Sequence, residues 1–215
     1  MNKDEILIAA EGFARKELEK DSSGHDWWHI YRVTQSAKKI ALEEGADPFI
    51  CELAALLHDI ADEKITGDEQ AGLLKVKEWL VRHHVKEHDI EHVMEIISSM
   101  SFKGGARPPM RTLEGKVVQD ADRLDAIGAV GIARVFAYSG AKDRLIYDPE
   151  NPPRENMTPE EYRQGKSSGI NHFYEKLLKL KDMMNTSYAR RLAEQRHELM
   201  VSYLDQFYLE WEGKA

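Results

Sequence analysis

Apolar residues recur at intervals of three and four along nearly the whole chain, and they alternate with polar ones nowhere for more than a few positions. An interval between three and four marks amphipathic helices, whereas half-buried strands repeat every second residue. The pattern predicts an all-α protein.

Over about residues 3 to 20, Ile6, Ala9, Phe13 and Leu18 lie close to helical spacing, and the cluster Asp21-Ser22-Ser23-Gly24 stops them. From about 26 to 44, Val33, Ala37, Ile40 and Ala41 follow the i, i+4, i+7, i+8 pattern, with Gly45 as a C-terminal stop. His29 lies one turn before Val33, on the face expected to be buried. Asp47 as N-cap and Pro48 at the first helical position open a third helix. It runs nearly all apolar to His58, which makes it central. Two further helices are predicted over about 68 to 84 and 89 to 100, ahead of a Gly/Pro-rich loop at 103 to 109.

Two apolar-patterned segments follow, 116 to 124 and 126 to 138, with Asp122-Arg123-Leu124-Asp125 between or within them. Val117, Ala121 and Leu124 would share one face. Residues from about 140 to 169 carry four of the seven prolines and no sustained period, a long loop of the kind that is often functional. The rest, 170 to 211, reads as two long helices broken near Asn185-Thr186.

Composition narrows the class. With 215 residues, 42% apolar and 32% charged, the chain has the make-up of a globular domain able to bury a sizeable core. A formal charge of -8 argues against a general nucleic-acid surface, whose affinity rests on basic side chains, but leaves room for a small anion in a local basic pocket. Cys51 is the only cysteine, so no internal disulfide can form, and its apolar surroundings read as core. No segment approaches the ~20 apolar residues that span a bilayer, and the charged N-terminus lacks a signal-peptide apolar region. A cytoplasmic protein with no membrane partner is expected.

The candidate chemistry lies in four residues set in or beside helical patterns: His29, the adjacent His58 and Asp59, and Asp122. Imidazole nitrogens and carboxylate oxygens together suit a divalent transition metal, and an octahedral ion held by four of them keeps room for water. Water activated by such an ion attacks phosphorus readily, because the ion lowers its pKa and polarises a phosphoryl oxygen. Asp120 and Asp125 lie in the same string as Asp122. Residues 120 and 122 point to nearly opposite helix faces, so both are not expected on one ion.

His29 ahead of Arg32-Val33, then Leu57-His58-Asp59, then Ala121-Asp122-Arg123-Leu124 resembles the HD-domain superfamily of metal-dependent phosphohydrolases. The strings Gly-His-Asp-Trp-Trp-His, Val-Gln-Asp-Ala-Asp-Arg-Leu-Asp-Ala-Ile-Gly-Ala and Ser-Ser-Gly-Ile-Asn-His-Phe-Tyr-Glu-Lys-Leu are similar to a bacterial branch that includes a nucleotide pyrophosphohydrolase from Bacillus. The likeness extends over most of the chain. His-Asp alone is a weak motif; the ordered set with its contexts is specific. The resemblance implies a single HD-type helical domain over 1 to 215, with a core at about 22 to 140 and a C-terminal helical extension. It also implies one divalent ion on His29, His58, Asp59 and Asp122, Mn first, with Mg, Co, Ni, Fe or Zn as alternatives.

Around those ligands, Asp125 and Glu63 are candidates for proton transfer and Lys64 for holding a phosphate; a solvated charged turn explains Glu63 and Lys64 equally well. Arg32 and Arg123 suit phosphate oxygens, against ordinary salt bridges. His25 lies one turn before His29, and Lys103, with Arg107 and Arg111, flanks the Gly/Pro loop; Lys166 and His172 are weaker candidates. His83, His84, His88 and His92 invite a second metal, but their charged surroundings favour a solvated face. Trp27 and Trp28 both read as core, with base stacking the alternative for one of them. Phe207, Tyr208 and Trp211 suit packing or the seam of a homodimer.

The resemblance implies hydrolysis of a nucleoside triphosphate to a monophosphate and pyrophosphate; a small phosphorylated substrate is the expected partner, and no nucleic-acid polymer. The alternatives are a nucleotide phosphomonoesterase, and a metal-dependent nucleotide-binding or sensing protein without turnover.

Overall fold

The computed structural model describes residues 1–19, 26–61, 68–100, 109–154 and 167–214. Among them there is no strand, and the protein is all-α. The chain forms two compact units, Met1–Asp122 and Arg123–Ala215.

The first unit is built on a buried hub. Helices α1 (Lys3–Glu17), α2 (Trp27–Glu44), α3 (Pro48–Leu57), α4 (Glu69–Arg82) and α5 (Glu87–Met100) lie in it, with α6 (Leu113–Asp125) running through its end. Asp47 caps α3 by accepting from the main-chain N–H groups of Phe49 and Ile50 at 2.8 and 3.3 Å, a contribution of about 1 kcal/mol. From Phe49 to Leu57 only Glu52 escapes burial, and α1, α2 and α5 pack around the helix. A helix apolar on every side must be enclosed in this way. Cys51 belongs to this hub at 0% exposure; burial, with the nearby Glu114 and Asp47 carboxylates, pushes its thiol up to about 12 and leaves it inert.

Helix α2 starts and stops where its sequence directs. Asp26 accepts from His29 N–H at 2.8 Å, and Gly45 ends the helix at φ 74°, a left-handed conformation that glycine adopts without strain. Val33, Ala37, Ile40 and Ala41 are buried as expected, and so is His29 at 1% exposure.

The third helix differs from expectation at its end. It gives way after Leu57 to a 3-10 turn, His58–Ala61, all four residues of which are buried. Successive side chains in that tighter turn are about 120° apart, which spreads His58 and Asp59 more widely than an α-helix does.

In the second unit, α7 (Gly128–Ala141) is followed by an irregular stretch, then α8 (Gly169–Glu175), a 3-10 segment (Leu177–Met183) and α9 (Ser187–Trp211). The sequence reading of 170 to 211 as two long helices is corrected here. Lys176, at φ -138° and ψ -58°, leaves helical geometry, and the buried Leu177 and Leu180 lie three apart, matching a three-residue turn. Phe207, Tyr208 and Trp211 pack their rings around Tyr147, with centroids 5.9, 5.5 and 5.0 Å away. Among the described residues no single helix is long and apolar enough to cross a membrane.

Candidate metal centre

The first unit gathers His29 from α2, His58 and Asp59 from the turn after α3, and Asp122 from α6. His29 Nε2 is 3.3 Å from Asp59 Oδ2 and 3.4 Å from Asp122 Oδ1. His58 Nε2 is 3.2 Å from Asp59 Oδ1, so the two oxygens of Asp59 face different imidazoles. Ligand atoms of His29, His58 and Asp59 all lie within 4.8 Å of one another, and all three residues are buried. Asp122 differs: 38% of its side chain is exposed, which makes it the solvent-facing side of the group.

The donor chemistry fits a divalent ion. His58 Nδ1 lies 2.8 Å from the carbonyl oxygen of Ala55, which can only accept, so Nδ1 carries the proton and Nε2 presents its lone pair. That Nε2 is buried with no hydrogen-bond partner among the described residues, and a cation would satisfy it. Partial burial alone would raise the Asp122 carboxyl, but its approach to His29 outweighs that and holds the group at about 2. An ionised oxygen beside an imidazole suits metal binding.

The other sequence candidates have varied positions. Arg32 is half-buried on α2. Arg123 donates from Nη1 to the carbonyl of Met183, and Asp125, 4% exposed, is ion-paired with Arg134 Nη1, both within the second unit. Asp120 is fully buried. Burial, with Lys176 as the next cause, lowers the imidazole of His172 to about 3. Arg111 is exposed, and His25, Glu63, Lys64, Lys103, Arg107 and Lys166 lie outside the described residues. His83 stacks on Trp79 at 3.9 Å, His88 reaches Asp89 at 3.1 Å, and His92 approaches Glu114 at 3.5 Å.

The shared core reading of the two tryptophans is corrected. Trp27 is buried at 7%, but Trp28 is 58% exposed. Sequence spacing held the signal, since Trp28 falls on the stripe Tyr31, Gln35, Lys38 and Leu42, every member of which is exposed. Two ion pairs left no such signal: Asp125 with Arg134, nine residues on, and Glu175 with Arg154.

Fold and centre define a class, the helical metal-dependent phosphohydrolases. The family model for the HD domain matches residues 27–127. The chain is 44% identical over 192 residues to YpgQ of Bacillus subtilis, covering 88% of this chain and 85% of that protein. An HD-superfamily hydrolase from Bacillus thuringiensis superposes with a TM-score of 0.79 at 49% identity, covering 98% of this chain and 99% of that one. The crystal structure of Bacillus subtilis YpgQ in complex with ADP superposes with a TM-score of 0.76 at 41% identity over 100% of both chains. The chain belongs to the HD-domain family and is an HD-superfamily hydrolase.

Proposed function

We propose that the protein hydrolyses a nucleoside triphosphate to the nucleoside monophosphate and pyrophosphate, with Mn as the working ion. The observation that carries this reading is the group His29, His58, Asp59 and Asp122, buried on three members and open at the fourth. The similar YpgQ holds ADP, a nucleotide with a phosphoanhydride, which favours nucleotides over simple phosphate esters. A divalent ion held by these residues would lower the pKa of water and offset charge on phosphoryl oxygens.

The chain's own groups do the rest. Substrate would enter at Asp122, the exposed member, while His29, His58 and Asp59 stay dry and keep their geometry. A water oxygen would attack the phosphorus nearest the ribose, the bond to pyrophosphate would break, and pyrophosphate would leave with that electron pair. Arg32, half-buried three residues after His29, is proposed to hold a phosphate oxygen through its planar fork. Arg123, Lys64, Lys103 and His25 are proposed to add further contacts. For the proton released by water, Asp125 and Glu63 are the two proposed acceptors. Arg134 competes for the Asp125 carboxylate, which favours Glu63.

Product analysis tests the reading. Metal-free protein is reloaded separately with Mn, Mg, Co, Ni or Zn and incubated with nucleoside mono- and triphosphates and generic phosphate esters. Pyrophosphate with a nucleoside monophosphate is expected. Inorganic phosphate would replace the reading with a phosphatase, and ion binding without turnover by any metal would replace it with nucleotide sensing.

A further inference from the structure

Helix α2 carries two adjacent indoles with opposite fates. Trp27 is 7% exposed, with the Arg15 guanidinium 4.9 Å from its ring centre, so one large aromatic already fills this part of the core. Trp28 leaves 58% of its surface in water and Tyr31 leaves 45%. Their rings meet edge to face, with centroids 5.9 Å apart and planes 78° apart. In that arrangement the edge of one ring braces the face of the other, the favoured geometry for two aromatic quadrupoles.

Position relative to the metal centre gives the exposed pair its meaning. Each residue of an α-helix advances about 100° around the axis. Arg32 follows His29 by three residues and Trp28 by four, so it lies between them on the helix surface. A path around α2 therefore meets a buried metal-site imidazole, then a half-buried guanidinium, then an exposed indole. The reacting phosphorus of a nucleoside triphosphate is the one joined to the sugar, and the sugar carries the base. A guanidinium between imidazole and indole would therefore meet an oxygen of that same phosphate or a sugar hydroxyl, with the base beyond it. The sugar separates the base from the reacting atom, so a base platform belongs on the rim of such a site, where Trp28 is.

We infer that Trp28, braced by Tyr31, is the stacking platform for the nucleobase of the substrate. The inference rests on the nucleotide reading above and adds to it where the base lies and how it is recognised. Every base has a π-face, so recognition by stacking tolerates any base, and the enzyme should accept nucleotides with little discrimination among them.

The test is calorimetric titration of the Mn-loaded protein, as wild type, Trp28→Ala and Trp28→Phe, with ADP and separately with inorganic pyrophosphate. Loss of the stacking face should raise the ADP dissociation constant about tenfold or more. The pyrophosphate constant of the same variant should move by less than roughly twofold, because pyrophosphate has no base to stack. Trp28→Phe should recover most of the ADP affinity. Equal ADP affinity in wild type and Trp28→Ala would overturn this inference and leave the nucleotide reading standing, and would turn the exposed indole toward a protein partner. Wild-type protein that binds pyrophosphate but no ADP would overturn both. A Trp28→Ala variant that loses ADP and pyrophosphate affinity in equal proportion would also overturn the stacking role, since the loss would then come from the phosphate end of the site.

Discussion

His29 Nε2 lies 3.4 Å from Asp122 Oδ1, and this approach between the second and sixth helices brings a carboxylate to the exposed side of the candidate metal group. Asp122 contributes charge more than packing, because 38% of its side chain faces solvent. Asp122→Asn should therefore leave the fold intact and weaken Mn affinity by about ten- to a hundredfold. Asp59→Ala removes the carboxylate that faces both imidazoles, and should abolish both bound ion and hydrolysis while the helical circular dichroism is kept. Metal content by atomic emission and product assays on the folded variants check both; full activity in Asp59→Ala would sink the metal assignment.

Glu175 holds the irregular segment after α7 to α8. Its side chain is 1% exposed; Arg154 donates Nε and Nη2 at 2.9 Å each, and Ser167 Oγ donates at 2.9 Å. Burial alone would raise this carboxyl, and the bonds from Arg154 and Ser167 reverse the direction and lower it. Glu175→Gln takes away the buried charge that faces the guanidinium, and should cost about 3 kcal/mol of stability by urea unfolding. A change within experimental scatter would mean that the pair contributes nothing net.

Gly128 begins α7 at φ 76°, and an added Cβ would lie 2.9 Å from Cγ of Arg196. Arg196 cannot retreat freely, because its Nη1 donates to the carbonyl of Leu124. Gly128→Ala combines a left-handed backbone with a clash, and should destabilise by about 2–3 kcal/mol. Gly12 supplies the control, since a Cβ there meets nothing within 4 Å. Gly12→Ala within α1 should be neutral or slightly stabilising in the same melts.

Stability should depend on His172 on the acid side. An unperturbed imidazole titrates near 6.5; burial first, then Lys176, lowers His172 to about 3 in the folded chain. Above 6.5 the group is neutral in both states and contributes no slope. As pH falls below 6.5, the unfolded chain takes up a proton that the folded chain refuses, so stability declines until about pH 3. Urea midpoints measured from pH 7 to pH 4 should fall less steeply in His172→Gln than in wild type. Parallel curves would remove His172 from the account.

The helices and their ends were largely legible because they are set by neighbours in sequence. Asp26, Asp47 and Asp68 cap helices, and Gly45 stops one, by contacts within a few residues. The coming together of His29, His58, Asp59 and Asp122 was legible by another route, because helical spacing placed His29 on a buried face and the resemblance supplied the rest. Ion pairs between segments were not. Nothing local tells Asp125 to choose Arg134, or Glu175 to choose Arg154, since each partner is one of many basic residues. The 3-10 turn at His58 was hidden too, because one more apolar residue extends a helix on paper as readily as it tightens one. Trp28 was misjudged by its company: beside a buried indole it read as core, although its helical neighbours Tyr31 and Gln35 are exposed.

The acceptor that orients His58 is the main-chain oxygen of Ala55, and a main chain has no codon of its own. Substitutions at position 55 can change bulk, but none deletes that carbonyl while the helix stands. Which nitrogen of His58 faces the centre is therefore inherited with the fold and is insulated from point mutation, whereas a tautomer set by a side-chain carboxylate could be lost in a single step. In directed evolution, changes at the neighbours of His58 should alter affinity through packing long before they reverse its ring chemistry.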